Sequence, residues 1–178
     1  LPYNSGFSSA QGNVGSIENR GIELTLSTVL DKGSFKWRSE INWSANRNKV
    51  LSLSEKKEIF GSTVSFDFGW RGNLVRVGEP VGLFYGYRTD GLYRTAEDLA
   101  NANQANSQLG DARFKDIAGP ADANGQPTGP DGKVDINDRV ILGNPNPDFI
   151  YGWSNTLQFK NFELFAFIQG VYGNEVLN

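Results

Sequence analysis

The stretch that begins at Asp131 has side chains of a type and spacing that could bind a metal ion. Calcium loops of the EF-hand kind place oxygen ligands at alternate positions, a glycine at the sharp turn and a carboxylate at the end. Asp131 and Gly132 match the turn, the Lys133 carbonyl matches the seventh position, and Asp135 and Asp138 match the last two ligands. The pattern therefore predicts a structural Ca²⁺ site in this loop.

The first and third ligands of the calcium pattern are out of register, because Pro127 and Gly129 stand at those positions. Asp122 and Asn124, which precede them, could substitute. An alternative interpretation is a plain Asp-Gly turn with solvated carboxylates, in which Asp138 helps to start the next element. The sequence leaves both interpretations open.

Catalysis and nucleic-acid binding find little support in the residue types. The chain of 178 residues contains no Cys and no His, so thiol nucleophiles, histidine bases and Cys or His metal sites are excluded. Neighbouring acids could suggest glycoside hydrolysis, but Glu97 and Asp98 are better explained as charges at a helix N-terminus. The net charge of −3 argues against a nucleic-acid partner. We therefore predict no enzymatic activity.

The elements that must carry this loop are mostly β-strands. Alternation predicts strands over 21–30, 35–47 and 149–160, with a hairpin turn at Gly33. A last strand is predicted over 162–172, which is apolar on both faces in part. The strand from Phe35 is long, with aromatic residues on one face and charged residues on the other, which suits a barrel wall. Phe60, Val64, Phe66 and Phe68 suggest a further strand. The predicted fold is all-β, a mainly antiparallel meander that forms part of a transmembrane β-barrel.

One helix and one long loop interrupt the strands. Thr95 and Asp98 have the spacing of a capping box, which predicts a helix from Ala96 to about Gln108. Residues 110–148 are rich in Asp, Gly, Pro and Asn and are predicted to form a loop. We therefore divide the chain, residues 1–178, into a barrel fragment and an inserted helix and loop at 94–148.

Three stretches of the sequence resemble one family when they are taken together and in order. They are GSIENRGIEL at 15–24; VGEPVGLFYGY at 77–87 followed by DGLY; and FKD at 114–116 followed by DGKVDINDRVILGNPNP at 131–147. These motifs resemble the C-terminal barrel portion of the SusC/RagA family of TonB-dependent outer-membrane transporters. In that family's pattern Asp116 would be the first calcium ligand, here separated from Asp131 by an insertion at 118–130.

The resemblance implies a nutrient importer in the outer membrane of a Gram-negative cell. Such transporters are large barrels of about 22 strands with a plugged lumen. The family takes up glycans or peptides with a SusD-like lipoprotein and the energy-coupling partner TonB, and its wall contacts membrane lipid. By this analogy the present chain is a fragment that supplies late strands and an extracellular loop.

Two other functions compete with the transporter interpretation. The first is a secreted, calcium-stabilised β-sandwich that binds carbohydrate, in which Phe35, Trp37, Ile41 and Trp43 would form a stacking platform. The second is a glycosidase domain. If the aromatic face instead contacts lipid, the isolated chain would expose it together with two sheet edges, and we expect such a fragment to self-associate.

Overall fold

The computed structural model describes residues 15–61 and 72–176, and almost all of its regular structure is antiparallel β. The single α-helix in this part of the chain, α1, spans Ala96–Ala100, and a 3₁₀ turn spans Ile136–Asp138. The strands are β1 (Ser16–Lys32), β2 (Phe35–Ser52), β3 (Glu58–Phe60), β4 (Asn73–Arg76), β5 (Leu83–Tyr87), β6 (Thr89–Leu92), β7 (Ala112–Phe114), β8 (Gly119–Ala121), β9 (Pro127–Thr128), β10 (Arg139–Gly143), β11 (Phe149–Phe159) and β12 (Phe162–Tyr172).

Four long strands form one antiparallel sheet in the order β1-β2-β11-β12. β1 and β2 contain 17 and 18 residues, against three to ten in most globular strands. Their register places Leu24 beside Trp43, and Trp43 beside Tyr151. Because side chains alternate between faces, this register puts the apolar positions of all four strands on the same side.

Two tight turns connect the paired long strands. Gly33, at a φ of 60°, lies in the turn between the paired residues Lys32 and Phe35. Lys160, at a φ of 53°, begins the turn between Phe159 and Phe162. Positive φ values give the two-residue turns whose twist matches that of the strands. The predicted hairpin at Gly33 and the predicted long strands are confirmed.

The chain divides into two compact units. The sheet unit contains, of the described residues, 15–59, 75–82 and 144–176, and the loop unit contains 60–61, 72–74 and 83–143. Buried side chains are few in each: Val50 and Leu53 in the sheet unit, and Leu74, Leu83, Tyr93 and Asp138 in the loop unit. A second sheet has the order β10-β5-β4-β3, and β6-β7 and β8-β9 form two small ribbons.

Some details differ from the sequence predictions. α1 ends at Ala100 rather than near Gln108, because Asn101 leaves helical geometry and caps the C-terminus by donating to the Glu97 carbonyl. Residues 110–148 hold β7 to β10 in addition to loop. The strand suggested by Phe60 begins earlier, as β3, and Val64, Phe66 and Phe68 lie outside the described residues. The described helices are all too short and too polar to span a membrane.

Candidate functional site

One face of the long-stranded sheet is apolar and lies open. Ile22, Leu26 and Leu164 each expose about three fifths or more of their surface, at 68%, 58% and 62%. Isolated exposed apolar residues are ordinary, but a contiguous face of them marks contact with a partner or a membrane. The members of this apolar face are Ile22, Leu24, Leu26, Leu30, Phe35, Trp37, Ile41, Trp43, Phe149, Tyr151, Trp153, Leu157, Phe159, Phe162, Leu164, Ile168 and Tyr172.

Aromatic rings on the apolar face collect in two rows. At one end Phe149 stacks on Tyr172 with ring centroids 4.9 Å apart, and Trp43 lies 6.0 Å from Phe149. At the other end, the register brings Phe35, Trp37, Phe159 and Phe162 together beside the tight turns. Aromatic residues favour the two interfaces of a membrane, where their rings meet both lipid and water.

The distance between the aromatic rows matches a membrane. Phe35 and Trp43 are eight positions apart on β2, which is about 27 Å at ~3.4 Å per residue. A strand tilt of ~40° reduces this to a height of about 21 Å, close to the ~25 Å apolar band of outer-membrane barrels. Between the rows, the indole of Trp153 donates to Ser39 Oγ at 2.9 Å, so its polar atom is satisfied within the sheet.

The opposite face of the same sheet is polar. Ser27 Oγ donates to Glu40 Oε2 at 3.3 Å, and Lys36 Nζ lies 3.7 Å from Asp31 Oδ2. This side also has apolar exceptions, which expose their side chains: Val29, Ile150, Phe165, Phe167 and Val171. A cavity of about 660 Å³ opens there, with amides, apolar side chains and a glycine in its lining: Asn42, Gly152, Phe167 and Gln169. A sheet with one polar and one apolar face is typical of a barrel wall around an aqueous interior.

Both outer strands of the sheet end without a neighbour in the described part of the chain. β1 pairs only with β2, and β12 only with β11. An unpaired edge presents a row of free backbone donors and acceptors, and closure into a barrel is the arrangement that removes such edges. The sheet unit therefore has the geometry of a piece cut from a larger barrel.

The five predicted calcium ligands lie in the loop unit, where backbone N–H groups donate to four of their carboxylates. Asp116 accepts from the N–H groups of Asp131 at 3.2 Å and Gly132 at 2.7 Å. Asp131 accepts in turn from Lys133 N at 3.0 Å. Asp135 accepts from Asn137 N and caps the 3₁₀ turn. These contacts fold the stretch into successive turns.

Asp138 is the most buried of the predicted ligands. Its side chain is 0% exposed and accepts from the N–H groups of Ile117 at 2.6 Å, Ala118 at 3.0 Å and Asp135 at 2.7 Å. Burial opposes ionisation of this carboxyl, but the three backbone donors outweigh it and lower its pKa below the ordinary value. The spacing of Asp135 and Asp138, an acidic capping box, could have indicated the hydrogen bond from Asp135 N, but not the two donors that lie about twenty residues away.

Among the described residues, no group of three or more Asp or Glu side chains is arranged so that it could hold a metal ion. Calcium binding through Asp116, Asp131, Lys133, Asp135 and Asp138 stays a prediction. A cation would have to draw these carboxylates together and compete with the backbone donors they now accept from.

Acids elsewhere in the loop unit are also held ionised. Hydrogen bonds from the Arg94 and Thr95 N–H groups lower the pKa of Asp98, which confirms the predicted capping box with Thr95. Hydrogen bonds from the Gln126 and Asn124 N–H groups likewise lower the pKa of Asp122. A general acid at neutral pH needs the opposite shift.

The sequence is similar to curated proteins of one kind, the TonB-dependent receptors. No family model matches the sequence. Over its full length the chain is 34% identical to TonB-dependent receptors P3 and P26 of Formosa agariphila, and it spans 17% of each. Over 92% of its length it is 26% identical to the TonB-dependent receptor SusC of Bacteroides thetaiotaomicron, of which it spans 15%. The chain thus covers about a sixth of these curated relatives.

Solved structures show the same fold. The RagAB peptide importer in its 'closed-closed' state matches 98% of this chain and 17% of its own, with a TM-score of 0.65 and 20% sequence identity. A second structure of the RagAB peptide transporter matches with a TM-score of 0.64. The sequence match and the shared fold confirm the resemblance: over its whole length the chain is similar to one segment of TonB-dependent receptors, SusC among them, and it has the fold of the matching barrel segment of RagAB.

Proposed function

We propose that this chain forms part of the wall and one extracellular loop of a TonB-dependent importer in the outer membrane of a Gram-negative cell. The observation that carries the proposal is the sheet with an open apolar face between two aromatic rows and a polar face behind it. Lipid covers the first face in this account, and the second faces the barrel interior.

The orientation of the segment in the membrane follows from its connections. Both tight turns, at Gly33 and Lys160, lie at one end of the sheet, whereas the chain between β2 and β11 leaves from the other end and includes the loop unit. Outer-membrane barrels have short periplasmic turns and longer extracellular loops. We therefore place the loop unit on the cell surface.

The partners and the substrate belong to the complete receptor. We propose a SusD-like lipoprotein and TonB as its partners, in keeping with the similarity to SusC and to a RagAB peptide importer. The cargo would be a glycan or a peptide. No catalytic step is part of the proposal, since the relatives are receptors and, among the described residues, the acids with shifted pKa values are held ionised.

The secreted β-sandwich has less support than the barrel wall. A sandwich buries one face of each sheet against the other. Here Leu24 and Leu164 on the apolar face stay 59% and 62% exposed, and β1 and β2 are longer than sandwich strands need to be. The geometry of the described residues thus favours a lipid-covered wall over a packed core.

Fractionation and uptake in one experiment test the proposal. The complete receptor carrying this segment should be found in the outer-membrane fraction, and cells expressing it should take up oligosaccharides or oligopeptides only while TonB is present. Recovery of the receptor in the cytoplasm, or uptake that is unchanged when TonB is deleted, would contradict it.

Calcium binding by the loop is a separate proposal with its own test. Calorimetric titration of Ca²⁺ into the complete receptor should give heats that Asp131→Ala abolishes and that Glu97→Ala, an exposed acid outside this loop, leaves unchanged. Extracellular sites of this kind bind with dissociation constants on the order of 10⁻⁴–10⁻³ M. Identical heats for the receptor and for Asp131→Ala would contradict calcium binding by this loop, and the role of these carboxylates would then be to accept backbone hydrogen bonds.

A further inference from the structure

Two of the motifs noted in the sequence meet in space at one end of the sheet unit. Residues 77–82, from the GEPVG motif, and 144–148, from the GNPNP motif, both contact the last part of β2. Neither motif was assigned a role by the chemistry considered above. We call this meeting point the clasp and define it by Arg47, Asn48, Val81, Asn146 and Asp148.

The centre of the clasp is a closed ring of hydrogen bonds. Asn48 Oδ1 accepts from Val81 N at 2.7 Å, and Asn48 Nδ2 donates to Asn146 Oδ1 at 2.8 Å. Asn146 Nδ2 then donates back to Val81 O at 2.9 Å. Two half-buried amides thus join three separate segments of the chain, and removal of either amide breaks two links of the ring.

Two further sets of contacts flank the ring. Arg47 donates to the Pro147 carbonyl at 3.1 Å and to the Asp148 carbonyl at 2.9 Å, and it pairs with Asp148 Oδ1 at 2.7 Å. On the other side, Val50 is fully buried, donates to the Glu79 carbonyl at 3.0 Å and accepts from Gly78 N at 2.8 Å. Gly78 has a φ of 92°, which L side chains rarely adopt.

The clasp lies where the chain leaves the sheet unit and returns to it. The long segment 83–143 of the loop unit begins after Gly82 and ends before Asn144. A Cβ added to Gly82 would lie 3.7 Å from Pro145 Cγ, so the two connections run in van der Waals contact. Holding both ends of so long a segment together has an entropic cost, which the hydrogen bonds of the clasp offset.

We propose that Asn48 and Asn146 are positioning residues that tie the two connections to β2, so that the chain leaves the sheet unit and returns to it at one fixed point. The role depends on the proposed function only for the side of the membrane on which the segment lies. It also gives the two motifs a shared task that requires no ligand. With the clasp open, the connections would move while the sheet and the loop unit stayed folded.

Hydrogen exchange in the complete receptor tests this role. Asn48→Ala and Asn146→Ala should each speed exchange in peptides covering 77–82 and 144–148 by about tenfold or more, because two links of the ring are lost. Asn46→Ala is the matched control. Asn46 lies two positions before Asn48 on β2, and its side-chain amide forms no hydrogen bond to another described side chain. Asn146→Asp keeps the acceptor for Asn48 but places a carboxylate oxygen against the Val81 carbonyl and Asn144 Oδ1, to both of which the amide donates, so it should also speed exchange.

Two results would overturn the clasp. If peptides covering 77–82 and 144–148 exchange at the same rate in Asn146→Ala as in Asn46→Ala, the hydrogen-bonded ring does not stabilise the two connections. Equal acceleration in β11, β12 and at the Tyr93 amide would show that the two residues support general stability rather than the connections. Neither result depends on where the receptor is found in the cell or on what it imports, so a failure here is distinguishable from a failure of the proposed function.

Discussion

The sheet unit exposes a whole face of large apolar side chains, whereas the loop unit buries Leu74, Leu83 and Tyr93 in a small core of its own. The sheet unit has Val50 and Leu53 as its buried apolar residues and satisfies its backbone by long strand pairing. The loop unit has short strands, and carboxylates accept many of its backbone N–H groups.

This difference agrees with the two solvents that the proposed function assigns to the two units. In lipid, every backbone group of a spanning element must be paired within the protein, and apolar side chains can face outward at no cost. In water, a loop with little core must order itself by local hydrogen bonds, and Asp is suited to this because its carboxylate accepts from several N–H groups. The sheet unit therefore has the features expected of a barrel wall, and the loop unit has those expected of a loop in water.

The largest expected effect is a charge placed on the apolar face. Ile41→Arg should destabilise the complete receptor in the outer membrane by about 2–4 kcal/mol, because Ile41 lies between the two aromatic rows. The neighbouring Asn42→Arg, on the polar face, is the control and should change stability by under about 1 kcal/mol. The temperature at which each variant changes from the gel migration of the folded receptor to that of the unfolded receptor measures both effects. Equal losses for the two variants would contradict the assignment of faces.

The next effect concerns the buried carboxylate of the loop unit. Asp138→Ala should destabilise that unit by about 1–3 kcal/mol, because the N–H groups of Ile117, Ala118 and Asp135 lose their acceptor. Asp138→Asn keeps one oxygen and should lose less. Hydrogen exchange of the Tyr93 amide, which donates to the Asp111 carbonyl, reports on the unit.

Asp122→Ala provides the matched control for that prediction. The Asp122 carboxylate also accepts from two backbone N–H groups, those of Asn124 and Gln126, but it is exposed, so water can replace it. Its effect should stay within about 0.5 kcal/mol. If Asp122→Ala lowers the free energy of unfolding as much as Asp138→Ala does, burial does not determine how much a carboxylate contributes to stability.

A smaller effect is expected from pH. The pKa of Asp138 in the folded chain lies below the ordinary value of 3.8, so its ionised form stabilises the loop unit above that pH. As pH falls below about 4 the unfolded state takes up the proton first, and the stabilisation is lost progressively until the folded pKa is passed. The difference in melting temperature between wild type and Asp138→Asn should therefore shrink from pH 5 to pH 3. A constant difference would show that charge at Asp138 does not matter.

Much of the sheet unit was predictable because its signal is local. Alternation along β2 predicts a strand whatever its neighbours are, and Gly33 marks the turn. The pairing of β5 with β10 was not predictable in this way, since Tyr87 meets Arg139 from far along the chain. The side-chain pattern of a short strand does not identify a partner that lies about fifty residues further along the chain.

The loop residues show a second limit of sequence reasoning. Carboxylates at alternate positions around Gly132 suit both calcium coordination and a chain of turns closed by backbone donors. The capping box at Thr95 was identified correctly because both of its partners lie within one turn. The acceptors for Ile117 and Ala118 could not be, because Asp138 reaches them from about twenty residues away.

The central claim, that the apolar face of the sheet meets lipid, is tested most directly by labelling single cysteines along β1. The described chain has no cysteine of its own, so Leu24→Cys, Thr25→Cys, Leu26→Cys and Ser27→Cys can be compared in a complete receptor free of other thiols. In intact outer membranes a membrane-dissolved maleimide should label positions 24 and 26 and spare 25 and 27, since successive side chains point to opposite faces. A water-soluble maleimide that labels 24 and 26 as fast as 25 and 27 would contradict the account.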